Sequence, residues 1–183
     1  MSLPQLQLLL LGAVLTSRAA PDCSAGEAAA ALDEDRFLGV WYNIKQTTWD
    51  WPEGRDLKCP NNIFSKVGEG DLIMDVGFYN KSSSSAVNFR NTLHKSTPGS
   101  TNGKYDGGRE GGRNYTVHVV KTDYTSYALM RACGYKQNSE ETYVSNYLLA
   151  REDHPSAAVL NTQMPPGSYS LYDHEDCPPV SSP

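Results

Sequence analysis

Residues 37–42 read Phe-Leu-Gly-Val-Trp-Tyr and open a run from Gly39 to Lys45, Gly-Val-Trp-Tyr-Asn-Ile-Lys. β-Branched and aromatic residues dominate it, which suits a half-buried strand. Alternation puts Trp41 and Asn43 on one face. Short runs of the same kind follow, separated by glycine, proline and polar residues. Asn62 to Val67 and Leu72 to Phe78 flank the turn Gly68-Glu69-Gly70. Ala86 to His94 alternates Val87, Phe89, Asn91 and Leu93 against Asn88, Arg90, Thr92 and His94. A glycine-rich polar stretch holds one short strand around Lys104-Tyr105. Tyr115 to Lys121, Ser126 to Gly134 and Thr142 to Arg151 complete about eight strands. The pattern predicts an all-β fold, an eight-stranded antiparallel up-and-down barrel whose closure removes sheet edges. By pattern alone a sandwich is the alternative. Two helical segments are expected, Ala25 to Leu32 and Pro155 to Gln163, the second stopped by Pro165-Pro166-Gly167.

The chain has 183 residues, enough for one domain with a sizeable core. Residues 1–19 read as a signal peptide: Leu6 to Leu15 is apolar but far too short to span a bilayer, and small residues follow at Ser17 and Ala19. This predicts a secreted domain over 20–183, with the barrel at about 36–151 and a tail at 152–183. The formal charge is −5, and losing Arg18 with the signal leaves the remainder more acidic. No basic stripe suggests nucleic acid, and no other run approaches membrane length. Four cysteines, Cys23, Cys59, Cys133 and Cys177, lie beyond the signal; an even number suggests two disulfides, with three pairings open. Asn80-Lys81-Ser82 and Asn114-Tyr115-Thr116 are glycosylation acceptor triplets.

Three clusters in order resemble the lipocalin family: Gly39-Val40-Trp41-Tyr42, then Thr122-Asp123-Tyr124, then Arg151 closing the last strand. With the cysteines, the resemblance looks nearest to the apolipoprotein D, insecticyanin and crustacyanin branch and covers roughly residues 23–177. It implies a barrel (a calyx) whose closed end is plugged by Trp41, with the Arg151 guanidinium across the indole, Gly39 giving clearance and Asp123 bonding local N–H groups in its turn. It further implies the pairings Cys23–Cys133 and Cys59–Cys177. The chain departs from the family at the C-terminal helix, which Pro165-Pro166 shortens, and in the glycine-rich segment from Tyr105 to Gly112.

Alternation then assigns a ligand-facing set: Asn43, Met74, Phe78, Phe89, Val117, Val119, Met130, Tyr143, Ser145 and Tyr147. An apolar, aromatic lining with a few hydroxyls and one amide suits a non-covalently held hydrophobic molecule, such as biliverdin or another pigment, a carotenoid, a retinoid or a lipid. Small residues at Ala128, Ala132 and Ser145 leave volume for it. His118 is expected to face solvent, and Asp173-His174-Glu175-Asp176 to form a solvated acidic tail. The histidines lack metal-ligand spacing, no cofactor is bound covalently, and no catalytic constellation is found. The alternative is a lipocalin acting through its surface on a protein partner, with Trp49 and Trp51 as anchors. Homo- or hetero-oligomers are compatible with either reading.

Overall fold

The computed structural model describes residues 31–47, 57–68, 70–108, 114–135 and 141–180. Residues 1–30, which hold the expected signal peptide, Cys23 and most of the expected first helix, lie outside the described residues, as do Trp49 and Trp51. The elements run α1 (Glu34–Phe37), β1 (Gly39–Thr47), β2 (Leu57–Val67), β3 (Asp71–Asn80), β4 (Ser85–Lys95), β5 (Lys104–Gly108), β6 (Tyr115–Thr122), β7 (Tyr127–Tyr135), β8 (Thr142–Ala150), α2 (Ala157–Leu160) and β9 (Tyr169–Leu171). Each of β1 to β8 is antiparallel to the next, and β1 also pairs with β8, so the sheet closes into an eight-stranded barrel.

Closure divides β1. Gly39 to Tyr42 pair with β2, whereas Lys45 to Thr47 pair with β9 on the same edge. The C-terminal tail therefore fills the space where β2 parts from β1. Tyr172 N–H donates to the Ile44 carbonyl, and Cys59 N–H donates to the Asp173 carbonyl. The disulfide Cys59–Cys177 fixes the far end of the tail to β2. Cys133 is also disulfide-bonded; the Cys23 half of the expected pairing lies outside the described residues.

Two apolar clusters sit on opposite sides of the barrel wall. The inner one is built on Phe37, Trp41, Phe64, Leu72, Leu93 and Leu149. The outer one joins Ile44, Leu129, Leu148 and Ala150 to Val159 of α2. Although α2 has one turn, it still buries an apolar side chain against the wall. Leu148 is consequently fully buried on its outward face, so outward does not mean open here.

Two expectations about histidine are corrected. His118 lies on the outer face, opposite Lys104 and Arg131, but is 3% exposed. Thr116, Arg131 and Cys133 are buried beside it, so the outer wall of β6 and β7 is covered there. His174 does not belong to a solvated tail. It is buried, its ring meets Tyr42 edge-on at 5.9 Å, and its Nε2 lies 3.0 Å from the Asn43 carbonyl.

Candidate functional site

The closed end is built from the three motif clusters. Arg151 lies with its guanidinium carbon 3.7 Å from the Trp41 ring centroid. Its N–H groups donate to the carbonyls of Tyr124, Leu38, Val40 and Arg36 at 2.9–3.1 Å. The planar fork thus stacks on an aromatic face while satisfying carbonyls that strand pairing leaves over. Gly39 has φ of 96°, and a β-carbon there would sit 3.4 Å from the guanidinium. The Trp41 indole N–H donates to the Phe37 carbonyl at 2.8 Å. Asp123 Oδ1 accepts from the N–H groups of Thr125, Ser126 and Tyr127, and the Ser126 hydroxyl donates to its other oxygen. Partial burial pushes this carboxyl upward, but the Ser126 and backbone donors outweigh it and hold the group at about 2. Thr122 Oγ1 accepts from Tyr124 N–H and donates to the Tyr127 carbonyl. These residues are consumed by the floor and have nothing left for a ligand.

Register shows which other side chains share the interior. The pairs Val119–Met130, Met130–Tyr147 and Tyr147–Gln46 form one row. Above it runs Tyr105–Val117–Ala132–Ser145. Toward the open end come Leu93, Gly107, Tyr115, Gly134 and Tyr143, alternating large and absent side chains. A β-carbon at Gly107 would come within 2.7 Å of the Tyr115 ring, and one at Gly134 within 2.8 Å of Tyr143. The two phenol rings therefore lie against the wall, over glycine backbone.

By register parity the ten residues expected to face a ligand share the inner face. Met74, Val117, Val119 and Met130 pack into the cluster above the floor. Tyr147 packs against the same cluster and Ser145 is buried beside Ala132, while Tyr143, Phe78 and Phe89 share the inner parity of their strands, Phe78 and Phe89 with ring centroids 5.6 Å apart. Asn43 joins a polar line across the β1–β8 wall. Its Nδ2 donates to Gln46 Oε1 at 3.5 Å, and Gln46 Nε2 donates to Ser145 Oγ at 3.3 Å and Tyr147 OH at 3.4 Å. Tyr172 reaches in from the tail, its hydroxyl donating to Gln46 Oε1 at 2.5 Å.

Strict alternation misses Gln46 and Tyr172. A register irregularity between Asn43 and Lys45 rotates β1 by one residue, turning Gln46 inward. It sends Lys45 outward, where the ammonium donates to the Leu160 carbonyl. The available signal was the charge itself, since unbroken alternation would have buried Lys45. No periodicity locates Tyr172, because it enters through the wall from a tail.

Burial pushes the phenols of Tyr115, Tyr143, Tyr147 and Tyr172 upward, so all four stay neutral at physiological pH. Two interior polar atoms, Asn43 Oδ1 and the Tyr115 hydroxyl, are buried without a hydrogen-bond partner. Among the described residues no cluster of acids, histidines and cysteines could hold a metal ion. No helix among them is long and apolar enough to cross a membrane.

Solved structures share this architecture. Insecticyanin from the tobacco hornworm Manduca sexta matches with a TM-score of 0.62 at 18% identity, over 86% of this chain and 87% of that one. Lobster apocrustacyanin A1 matches with 0.54 at 16%, over 74% and 77%. A structure described as a biogenic amine-binding protein matches with 0.58 at 20%, over 75% of each chain. At these identities the likeness concerns the fold. The family model described as Lipocalin / cytosolic fatty-acid binding protein family matches residues 38–162, which span the Trp41 floor, the Asp123 turn, Arg151 and all eight barrel strands. The chain belongs to that family.

Proposed function

We propose that the protein is a secreted carrier holding a small hydrophobic molecule, non-covalently, in the open half of its barrel. The observation that carries this reading is the pair of stranded interior groups, Asn43 Oδ1 and the Tyr115 hydroxyl. Each costs roughly 1–3 kcal/mol when buried unmet. A ligand with an apolar body and polar ends would meet them while covering Phe78 and Phe89. The ligand-facing set is the ten residues named from alternation, with Gln46, Tyr115 and Tyr172 added. Neutral phenols, an amide pair and aromatic rings suit a pigment such as biliverdin or a carotenoid, a retinoid, or a lipid. Binding is favoured over catalysis because the interior polar groups are neutral amides and hydroxyls rather than a nucleophile–base pair. Secretion is supported by the apolar N-terminal run and by the Cys59–Cys177 disulfide.

The test is an equilibrium titration with biliverdin, read by absorbance, and with retinol, read by its own fluorescence. Tyr147→Trp should crowd the chamber and weaken binding. Leu148 faces outward on the same strand but is fully buried and packs with Val159 of α2, so a tryptophan there would disturb the wall. Val144→Trp serves instead, on the outward face of the same strand and 54% exposed; it should bind like the wild type. Equal affinity in all three proteins would remove the interior site. A wild type that binds neither probe and yields no extractable lipid would leave the surface-acting reading in its place.

A further inference from the structure

A concavity of about 610 Å3 lies on the outer face of the barrel, across β4, β5 and β6. Register shows that it is outside: Thr92 pairs with Gly108, His94 with Asp106, and Asp106 with Thr116, all opposite in parity to the buried Leu93, Tyr105 and Val117. Its lining includes the hydroxyls of Thr92 and Thr116, the Lys104 ammonium, the Asp106 carboxylate, His94 and the Asn114 amide, with apolar surface between them. Its volume falls within the range of small-molecule sites, roughly 300–1,000 Å3.

Asn114 is exposed and begins the acceptor triplet Asn114-Tyr115-Thr116. Its side chain lies across β5, with Oδ1 3.2 Å from where a β-carbon of Gly108 would stand. We propose that this groove is a carbohydrate seat and that its occupant is the inner part of an N-linked glycan carried by Asn114. The proposal rests on the secretion reading, which brings the chain to the donor. In the transfer, Asn114 Nδ2 bonds to the sugar C1 as the bond from C1 to a polyisoprenyl diphosphate breaks. The diphosphate leaves with the electron pair, and one amide proton is released. Thr116 is 2% exposed and its hydroxyl donates to Asp106 at 3.1 Å, so transfer precedes the closing of β5 on β6. The attached sugar is then enclosed as the sheet forms. The missing side chain at Gly108 gives it room. Thr116 is bonded to Asp106 and His94 to Asp71, so the sugar packs its ring face on the apolar surface between them, while the Thr92 hydroxyl and the further acceptor sites of the Asp106 carboxylate meet its hydroxyl groups.

Asn80 provides an internal contrast. It ends β3 beside the exposed turn 81–84, where its Oδ1 accepts from Ser83 N–H. Protein secreted from mammalian cells is treated with a peptide N-glycosidase, native and denatured, and release at each site is followed by glycopeptide mass spectrometry. The Asn114 glycan should leave the native protein about tenfold more slowly than the denatured one, as local burial requires, while Asn80 shows little difference. Gly108→Phe displaces Asn114, and Thr92→Arg fills the groove from β4; either should bring native release at Asn114 up to the denatured rate. Secretion with Asn114 bare, or native release as fast as denatured, would overturn the seat. A chain retained in the cytosol and bare at both sites would sink the secretion reading and the seat with it.

Discussion

Arg151 does three jobs with one planar group: it stacks on Trp41, supports the α1–β1 connection through carbonyls, and ties the β6–β7 turn to the floor. Arg151→Lys keeps the charge but loses the stack and most of these bonds. It should lower stability by at least about 2 kcal/mol, since stranded carbonyls cost 1–3 each. Trp41→Ala should cost about 3–5 kcal/mol, the range for emptying a buried aromatic site. Urea unfolding of the three proteins reads both. Asp123 brings a pH dependence. Its folded-state value of about 2 lies below the ordinary carboxylate value of about 4. The unfolded chain therefore binds the proton first, and the charged group stabilises the fold fully above about pH 4. That contribution fades as pH falls through 2. Asp123→Asn should be less stable than the wild type at pH 7 and converge with it near pH 2 in acid unfolding curves.

At the scale of elements, β9 and the residues after it act as a ninth wall segment. His174 fastens them to β1, and Tyr172 connects them to Gln46 inside the barrel. Burial pushes the His174 imidazole downward. The Asn43 carbonyl, Asp153 and Asp173 favour its charged form and His154 opposes it, without reversing the effect of burial. The neutral ring stabilises the docked tail above the ordinary histidine value near 6.5, and this is lost as pH falls below it. Hydrogen exchange at residues 169–174, corrected for intrinsic rate, should therefore rise between pH 7 and 5 more than exchange in β7. His174→Gln keeps a donor without a titrating charge, and should flatten the difference. Unchanged protection of the wild-type tail across that interval would mean that His174 is not what holds it.

For the whole molecule, the long-range covalent ties matter most. Cys59–Cys177 closes a loop with a sequence separation of 118, which the chain-entropy view values at about 4–5 kcal/mol. Cys177→Ser paired with Cys59→Ser should lower stability by that order and free the end of the tail. Peptide mapping without reduction should join Cys133 to Cys23; finding Cys23 on any other partner would break the pairing inferred from the family resemblance.

The sequence by itself determined an all-β fold of about eight strands; alternation left a sandwich open, and the resemblance carried by the three motif clusters decided for the barrel. Period-two alternation is a local property, and the anchors Trp41, Cys133 and Arg151 set its phase. The three motif clusters were legible because their chemistry is local too: a turn carboxylate among N–H groups, a glycine before a tryptophan. Other features had no local signature. Gln46 turned inward because β1 slips one register against β8, a slip that exists only when both strands are present. Tyr172 and His174 became interior because the tail fills the space left where β2 parts from β1. Leu148 and His118 lie on outward faces that other parts of the fold cover, and alternation tells which side a residue faces but not what lies there. Tertiary structure decided these positions because burial depends on every element that reaches a surface, whereas alternation depends only on neighbours along the chain.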